Sequence, residues 1–403
     1  MRGLLLGVAF LDELASGVSP VAAPELEGIF GLSHLGAAGV TLVALSALGL
    51  IEPVLLVVAD RHPRRWFLCG GLFALGAANL LAAWAPSYWV LLLALLLYGP
   101  ASGCGVGLAQ ASLADASPND RERVMARWAL FGEAGDLATL ALMSVLALLG
   151  FGVRAAFLVC GLWAMLQATA LWRAFGRGTT ASTQADTDAD ESSEADEVDE
   201  AGSSWRAALG ALRNRSLLMW CAAVLLCSLL DEVVVAFGAL HLAEHVGASV
   251  HQRGVVLASL MAGGMVGLVI VERLLARFDG LRVLAVACVA GALAYVGWLQ
   301  ATSILTSALL AFVAGACCTV HYPIVVARAY ASLPGRSAIV NAVLAMFVPW
   351  DLALPIALGL VADHVGLRAT MWILTVQPLG IFAITLWALA NDRRPGASRR
   401  GDG

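Results

Sequence analysis

Long apolar stretches separated by short polar connections run through the whole chain. Twelve of these stretches are long enough to cross a bilayer as helices, because about 20 apolar residues span its hydrocarbon core. The predicted spans are residues 3–23, 34–58, 66–85, 89–111, 127–150, 155–173, 217–242, 254–275, 281–300, 302–327, 339–362 and 368–390. The pattern therefore predicts an all-α membrane protein with twelve transmembrane helices.

A polar segment at 176–204 separates the first six spans from the last six. Its residues are mainly Ser, Thr, Ala, Asp and Glu, with Val198 as the one larger aliphatic side chain. Such a segment cannot bury enough apolar surface to fold. The predicted division is a six-helix bundle at 1–175, a disordered acidic cytoplasmic linker at 176–204, a second bundle at 205–392 and a cytoplasmic tail at 393–403. A regulatory or partner-binding role is the alternative to a simple tether.

Four short motifs of the first half recur, in the same order, in the second half. The pairs are Leu11-Asp12-Glu13 with Leu230-Asp231-Glu232, Asp60-Arg61 with Glu272-Arg273, Asp136-Leu137-Ala138 with Asp351-Leu352-Ala353, and Gly152-Val153-Arg154-Ala155 with Gly366-Leu367-Arg368-Ala369. Parallel six-span repeats are typical of secondary transporters, whose solute sites lie near the midplane between the repeats. We therefore expect two pseudo-symmetric six-helix bundles.

Composition and charge agree with a membrane protein and set its orientation. Hydrophobic residues make up 60% of the chain and charged residues 13%, against about 25% charged in soluble domains. Of the 24 Arg residues, only Arg154, Arg253 and Arg368 lie in one set of connections, and the other 21 lie in the opposite set or at the termini. Because positive residues favour the cytoplasmic side, both termini and the linker are predicted to be cytoplasmic. We expect a multi-pass protein of the inner (plasma) membrane of a bacterium.

Several acidic residues lie inside the predicted spans. They are Asp12, Glu13, Glu133, Asp136, Asp231, Glu232 and Asp351, and His321 lies in the tenth span. A charge at the bilayer centre costs from about 2.5 to about 17 kcal/mol, so such residues usually mark a pathway. The chain has no Lys, and no Arg lies at the midplane of a span. A carboxyl group without a counter-charge in hydrocarbon tends to bind a proton, which makes these residues candidate proton carriers and solute-binding groups.

Helical geometry separates the first two acids, since successive residues are turned by about 100°. Asp12 should share a face with Ser16 and Ser19, a polar stripe suited to a cavity. Two alternatives stay open elsewhere. Asp136 and Asp351 could be permanently protonated donors to a neighbouring helix, and His321 could bind a carbonyl freed by the Pro break beside it.

The loop after the second span, Asp60-Arg61-His62-Pro63-Arg64-Arg65, resembles the signature loop of the major facilitator superfamily. It keeps the acid and the bases, while Leu56 and Pro63 stand where that family has glycines. The twelve-span plan also resembles the family. The resemblance implies a cytoplasmic gate held by ion pairs at Asp60, Arg61, Arg64 and Arg65, with Glu272 and Arg273 at the repeated position. The alternative is that Arg64 and Arg65 only determine topology.

The fifth span is similar to the Gly-rich run of the family's antiporters, because residues 132–140 keep glycines at Gly132 and Gly135. It lacks their Pro, although Pro355 occupies the equivalent place in the eleventh span. Small residues here should also allow close helix packing.

These patterns lead to a predicted function. We expect proton-coupled antiport, in the efflux direction, of small cationic or amphiphilic organic solutes by alternating access. The alternative is proton-coupled or facilitative uptake of a neutral or cationic metabolite, and a third is a non-transporting sensor or scramblase. The expected partners are a small-molecule substrate, protons and membrane lipid, with no nucleic acid and a monomeric state. The proton gradient would supply the energy without a cofactor.

An enzyme is not expected. The sequence shows no nucleophile beside a base, no metal-ligand cluster and no phosphate-binding Gly loop. The eight Cys all fall in apolar runs, where they are predicted to pack rather than to bind a metal.

Overall fold

The computed structural model describes residues 1–31, 51–59, 62–179, 209–230 and 232–392. These ranges are helical nearly throughout, and they contain no strand. Eleven helices or joined helix pairs within them are long and apolar enough to cross a membrane. The second predicted span falls largely on 32–50, and most of the predicted linker on 180–208, both outside the described residues. The all-α prediction is confirmed.

The helices of the first part of the chain are numbered α1 to α8. They are α1 Arg2–Ser16, α2 Val18–Val21, α3 Ala23–Phe30, α4 51–59, α5 Arg64–Ala83, α6 Tyr88–Asp115, α7 Arg121–Leu148 and α8 Val153–Thr179. Helices α1, α2 and α3 follow one another, with Gly17 between α1 and α2 and Pro20 inside α2. Pro100 lies inside α6, the longest uninterrupted helix of this part together with α7.

The helices of the second part are numbered α9 to α18. They are α9 Arg215–Cys227, α10 Glu232–His245, α11 Val250–Leu274, α12 Gly280–Leu299, α13 Ile304–Cys318, α14 His321–Ala331, α15 Ser337–Ala345, α16 Val348–Val365, α17 Leu367–Ile373 and α18 Val376–Asp392. A 3-10 turn, Ser228–Leu230, follows α9 directly. Predicted spans 7, 10, 11 and 12 are therefore each built from two helices.

The chain forms two compact units. Unit 1 comprises Met1–Arg121, Trp128–Leu217 and Tyr330–Pro349, and unit 2 comprises Glu122–Arg127, Leu218–Ala329 and Trp350–Gly403. Two short segments thus belong to the unit formed mainly by the other half of the sequence. The predicted domain boundaries remain a prediction.

Glycine contacts bring the helices of unit 1 close together. A Cβ atom added at Gly71 of α5 would lie 2.6 Å from the backbone nitrogen of Gly105 in α6. Cβ atoms added at Gly76 of α5 and Gly161 of α8 would each lie 3.0 Å from the other residue's carbonyl oxygen. Helix association in a bilayer depends on such close backbone approach, because lipid offers no hydrophobic driving force. The first of these crossings positions α6, which contributes Tyr98, Ser102, Gln110 and Asp115 to the contacts described below.

Unit 2 packs on the same principle around a core with large aromatic residues. A Cβ added at Gly263 or Gly267 of α11 would collide with the backbone of α13, and one added at Gly315 of α13 would collide with α11. Tyr295 and Trp298 of α12 are fully buried, and the Tyr295 hydroxyl donates to the carbonyl oxygen of Met371 at 2.8 Å. The hydroxyl group is thereby satisfied inside an apolar core.

Candidate functional site

Asp12 of α1 lies against α6. Its Oδ1 atom accepts a hydrogen bond from the Ser102 hydroxyl at 2.6 Å. One turn earlier on α6, the Tyr98 hydroxyl donates to the backbone carbonyl of Asp12 at 3.4 Å. The Asp12 carboxyl is half-buried, and among the described residues its hydrogen-bond partner is the Ser102 hydroxyl and not a base. A carboxyl group in such surroundings can exchange a proton without breaking an ion pair.

Glu52 of α4 is a second acid beside α6, and the sequence analysis missed it. Its side chain lies along a groove formed by Gly103 and Gly107, which are one turn apart. A Cβ atom added at Gly103 would come within 2.7 Å of Glu52 Cγ and 2.8 Å of Oε1. The available signal was its position: Glu52 lies inside the predicted second span, next to Pro53, and belonged with the other buried acids.

Asp12 and Glu52 therefore meet the same turn of α6, because their contacts Ser102 and Gly103 are adjacent. The two carboxyl groups thus lie beside neighbouring residues of α6, where two negative charges would repel each other. The ion pairs between described residues use Asp115, Glu122, Glu272 and Asp279, so neither of these two carboxyls is paired with a described Arg.

Glu13 points away from Asp12, toward α7. A Cβ atom added at Gly132 would lie 3.3 Å from Glu13 Cγ, and the Ser16 hydroxyl lies 3.4 Å from Glu13 Oε2. The Ser16 hydroxyl thus contacts Glu13, while the hydroxyl that contacts the Asp12 carboxyl is that of Ser102 on α6. The contact between Glu13 and Ser16 joins residues three apart on α1.

Helices α1 and α7 cross next to Glu13. Gly135 lies against the backbone of α1, and the Thr139 hydroxyl, one turn on, donates to the carbonyl oxygen of Leu14 at 3.0 Å. Glu133 and Asp136 lie on the same helix and are half-buried. The crossing therefore places α7 beside the helix that carries Asp12 and Glu13.

A polar network joins Gly107 and Gln110 of α6 to Tyr330 and Asn341, within unit 1. The Asn341 amide donates to the carbonyl oxygen of Gly107 at 2.6 Å. The Tyr330 hydroxyl donates to Asn341 Oδ1 and lies 3.0 Å from Gln110 Oε1. Tyr330 is fully buried, so these amides satisfy a hydroxyl that water does not reach.

In unit 2, His321 is fully buried and belongs to a chain of contacts that ends at a helix break. Its Nδ1 atom lies 3.3 Å from Gln377 Nε2, and Gln377 Oε1 accepts from the backbone N–H of Leu230 at 2.6 Å. Of the remaining candidates here, Asp231 lies outside the described residues. Glu232 begins α10 and Asp351 lies in α16, with only their backbone described.

Two of the predicted gate residues form ion pairs. Arg64 pairs with Asp115 at 2.6 Å, and Asp115 also accepts from the Ser337 hydroxyl. Glu272 pairs with Arg127 at 2.7 Å and with Arg123 at 3.6 Å. These partners were not predicted, although each is a charged residue close to the end of a span.

The other predicted gate residues are placed differently. Asp60 and Arg61 lie outside the described residues. The Arg65 guanidinium lies 5.8 Å from the ring centroid of Trp66, and Arg273 is exposed. A further ion pair that was not predicted joins Arg328 to Glu122 at 2.8 Å.

Comparisons with known proteins agree with the architecture. The family model of the Major Facilitator Superfamily matches residues 5–231. The solved structure of the transporter FucP in the outward conformation has a TM-score of 0.75 at 16% identity, covering 96% of this chain and 98% of that chain. The E. coli fucose:proton symporter FucP gives 0.74 at 14%, with 96% and 98% covered.

The proton:xylose symporter XylE, bound to 6-bromo-6-deoxy-D-glucose, has a TM-score of 0.70 at 15% identity, with 96% of this chain and 95% of that chain covered. At such identities the likeness shows a common fold. No curated protein sequence matches the chain.

Proposed function

Because this chain belongs to the major facilitator superfamily, we propose that it is a proton-coupled symporter for a small neutral or cationic metabolite. Membership of this family indicates an integral multi-pass membrane transporter and not an enzyme. Coupling to protons, the direction of transport and the solute are the parts that we propose. In this proposal the proton gradient is the energy source and no cofactor takes part.

The observation that carries the proposal is the environment of Asp12. The carboxyl group lies on a transmembrane helix and is bound by the Ser102 hydroxyl at 2.6 Å. A hydroxyl can donate to the ionised form of the carboxylate, and it can rotate to accept from the protonated form. Both states of Asp12 therefore find a partner in one side chain, which suits a group that binds and releases a proton in every cycle.

The fold comparisons support symport over the antiport expected from the sequence. FucP and XylE are described as a fucose:proton and a proton:xylose symporter. A neutral solute also makes no demand for a buried base. Antiport remains the second candidate, because carboxyl groups without a described Arg partner would also attract a cationic solute in exchange for a proton.

The sign of a proton movement distinguishes the two functions. We suggest purified protein in liposomes that contain a pH-sensitive dye, with L-fucose, D-xylose or an organic cation such as tetraphenylphosphonium added outside. Under symport, entry of a solute acidifies the interior, whereas under antiport its entry makes the interior alkaline. Solute entry with no pH change would overturn proton coupling.

Variants on α1 and α6 test whether Asp12 couples proton movement to solute transport. Asp12→Asn should abolish the solute-dependent pH change, and Ser102→Ala should reduce it, because each removes part of the 2.6 Å contact. Ser112→Ala is the matched control, since the Ser112 hydroxyl donates only to the carbonyl of Leu108 on its own helix, at 2.6 Å. Equal activity of the Ser102 and Ser112 variants would contradict a role for the Asp12 contact.

A further inference from the structure

The groove on α6 has room for the Glu52 side chain because two of its residues are glycines. Gly103 and Gly107 have no side chains, and a Cβ at either residue would meet the Glu52 side chain, at 2.8 Å and 3.5 Å from Oε1 respectively. The Asn341 amide nitrogen lies 3.3 Å from the same added Cβ at Gly107. Two consecutive turns of α6 thus leave room for one carboxyl group inside a predicted span.

The groove also brings Glu52 to the hydrogen-bond partner of Asp12. Ser102, which donates to Asp12, directly precedes Gly103, which contacts Glu52. Helices α1 and α4 therefore present one carboxyl group each to a single turn of α6. Three further titratable groups lie near this turn: the Tyr98 hydroxyl and the Cys104 thiol, both on α6, and the Glu13 carboxyl, which lies next to Asp12 on α1 and faces α7.

We infer that Glu52 and Asp12 bind the transported proton as a pair and hold it between them. Two carboxylates in contact with one turn of a buried helix repel each other, so the second ionises only at a much greater cost than the first. One proton relieves that repulsion, and the pair carries one charge when the proton is bound and two when it leaves. This role deepens the proposed symport and rests on it.

The pair makes the free energy of proton release depend on changes at the solute site. Release costs most while the groove is closed to water and less when water or a positive group approaches the two carboxylates. Glu52 thereby makes the proton affinity of Asp12 depend on a second helix. A lone Asp12 would depend only on its own surroundings.

The test uses chemical labelling of the full-length protein and needs neither a solute nor a gradient. Dicyclohexylcarbodiimide reacts with protonated carboxyl groups in apolar surroundings, and mass spectrometry of peptides measures the labelling rate of each residue separately. We expect both Asp12 and Glu52 to be labelled near neutral pH. In Glu52→Gln the labelling of Asp12 should slow by about tenfold, and in Asp12→Asn the labelling of Glu52 should slow likewise, because the remaining carboxyl loses a like charge.

Controls separate this effect from general disturbance. Glu25→Gln removes an exposed carboxylate that accepts from the Val153 backbone at 2.9 Å, and it should leave both labelling rates unchanged. Rates that stay the same in both pair variants would overturn the inference. If Glu52→Gln does not elute as a folded protein, Gly103→Ala fills the groove while both carboxyls remain, and Asp12 labelling should slow, whereas Gly70→Ala, with nothing within 4 Å, should not change it.

The labelling experiment and the transport experiment test the two proposals separately. Reciprocal slowing without any solute-dependent pH change would support the pair and overturn the symport proposal. Coupled transport with no reciprocal slowing would support symport and overturn the pair.

Discussion

Gly135 of α7 offers a sharp test of how the helix that carries Asp12 is held in place. A methyl carbon at this position would lie 3.0 Å from Glu13 Cβ and 3.1 Å from the backbone nitrogen of Leu14, and it would overlap the carbonyl oxygen of Phe10. Ordinary contacts between such atoms are about 3.5 to 4.0 Å. In Gly135→Ala, α1 must therefore move away from α7 by roughly 0.5 to 1 Å, given these spacings.

That displacement should cost about 1 to 3 kcal/mol of unfolding free energy, as for other overpacked sites. Gly70→Ala is the matched control on α5, because the same methyl group meets nothing within 4 Å. Its higher helix propensity should stabilise the protein by about 0.5 to 1 kcal/mol. The measurement is unfolding of the purified protein in mixed micelles with increasing dodecyl sulfate. Equal stability of the two variants would show that α1 and α7 do not meet as described.

Two further substitutions test other contacts. Gln377→Leu leaves the buried N–H of Leu230 without its acceptor and should cost about 1 to 3 kcal/mol in the same unfolding assay, whereas Gln300→Leu at an exposed position should change stability by less than about 0.5 kcal/mol. Comparable losses in the two would argue against the Leu230 contact. A double-mutant cycle with Arg127→Gln and Glu272→Gln should give a coupling below about 1 kcal/mol that falls with added salt, because both side chains are partly exposed, and a larger salt-independent value would contradict this.

The sequence predicted the helices of this protein well because hydrocarbon imposes a simple rule on length and polarity. It predicted their continuity less well. The eleventh predicted span divides into α15 and α16 just before Pro349, and the tenth divides into α13 and α14 just before His321-Tyr322-Pro323. Proline lacks an N–H donor and is accommodated in the first turn of a helix, so both breaks had a local signal.

Side-chain partners could not be predicted in the same way. Helical periodicity places Asp12 and Glu13 on different faces, but it does not say that Ser102 or Gly132 would be opposite them. Likewise, the Arg residues after the second span were recognised, whereas Asp115 as the partner of Arg64 depends on how α5 and α6 cross. Glu52 is different, since its place inside an apolar run could have been read directly.

The interruption between α9 and α10 affects how the seventh predicted span responds to force. Along an unbroken helix, bending stretches a continuous ladder of main-chain bonds, and the resistance is spread evenly over its length. Here the ladder stops at the Ser228–Leu230 turn, and a side chain from α18 supplies the missing acceptor. A bending load at this point is therefore carried in part by a contact between two helices and not by the main-chain ladder of one helix alone.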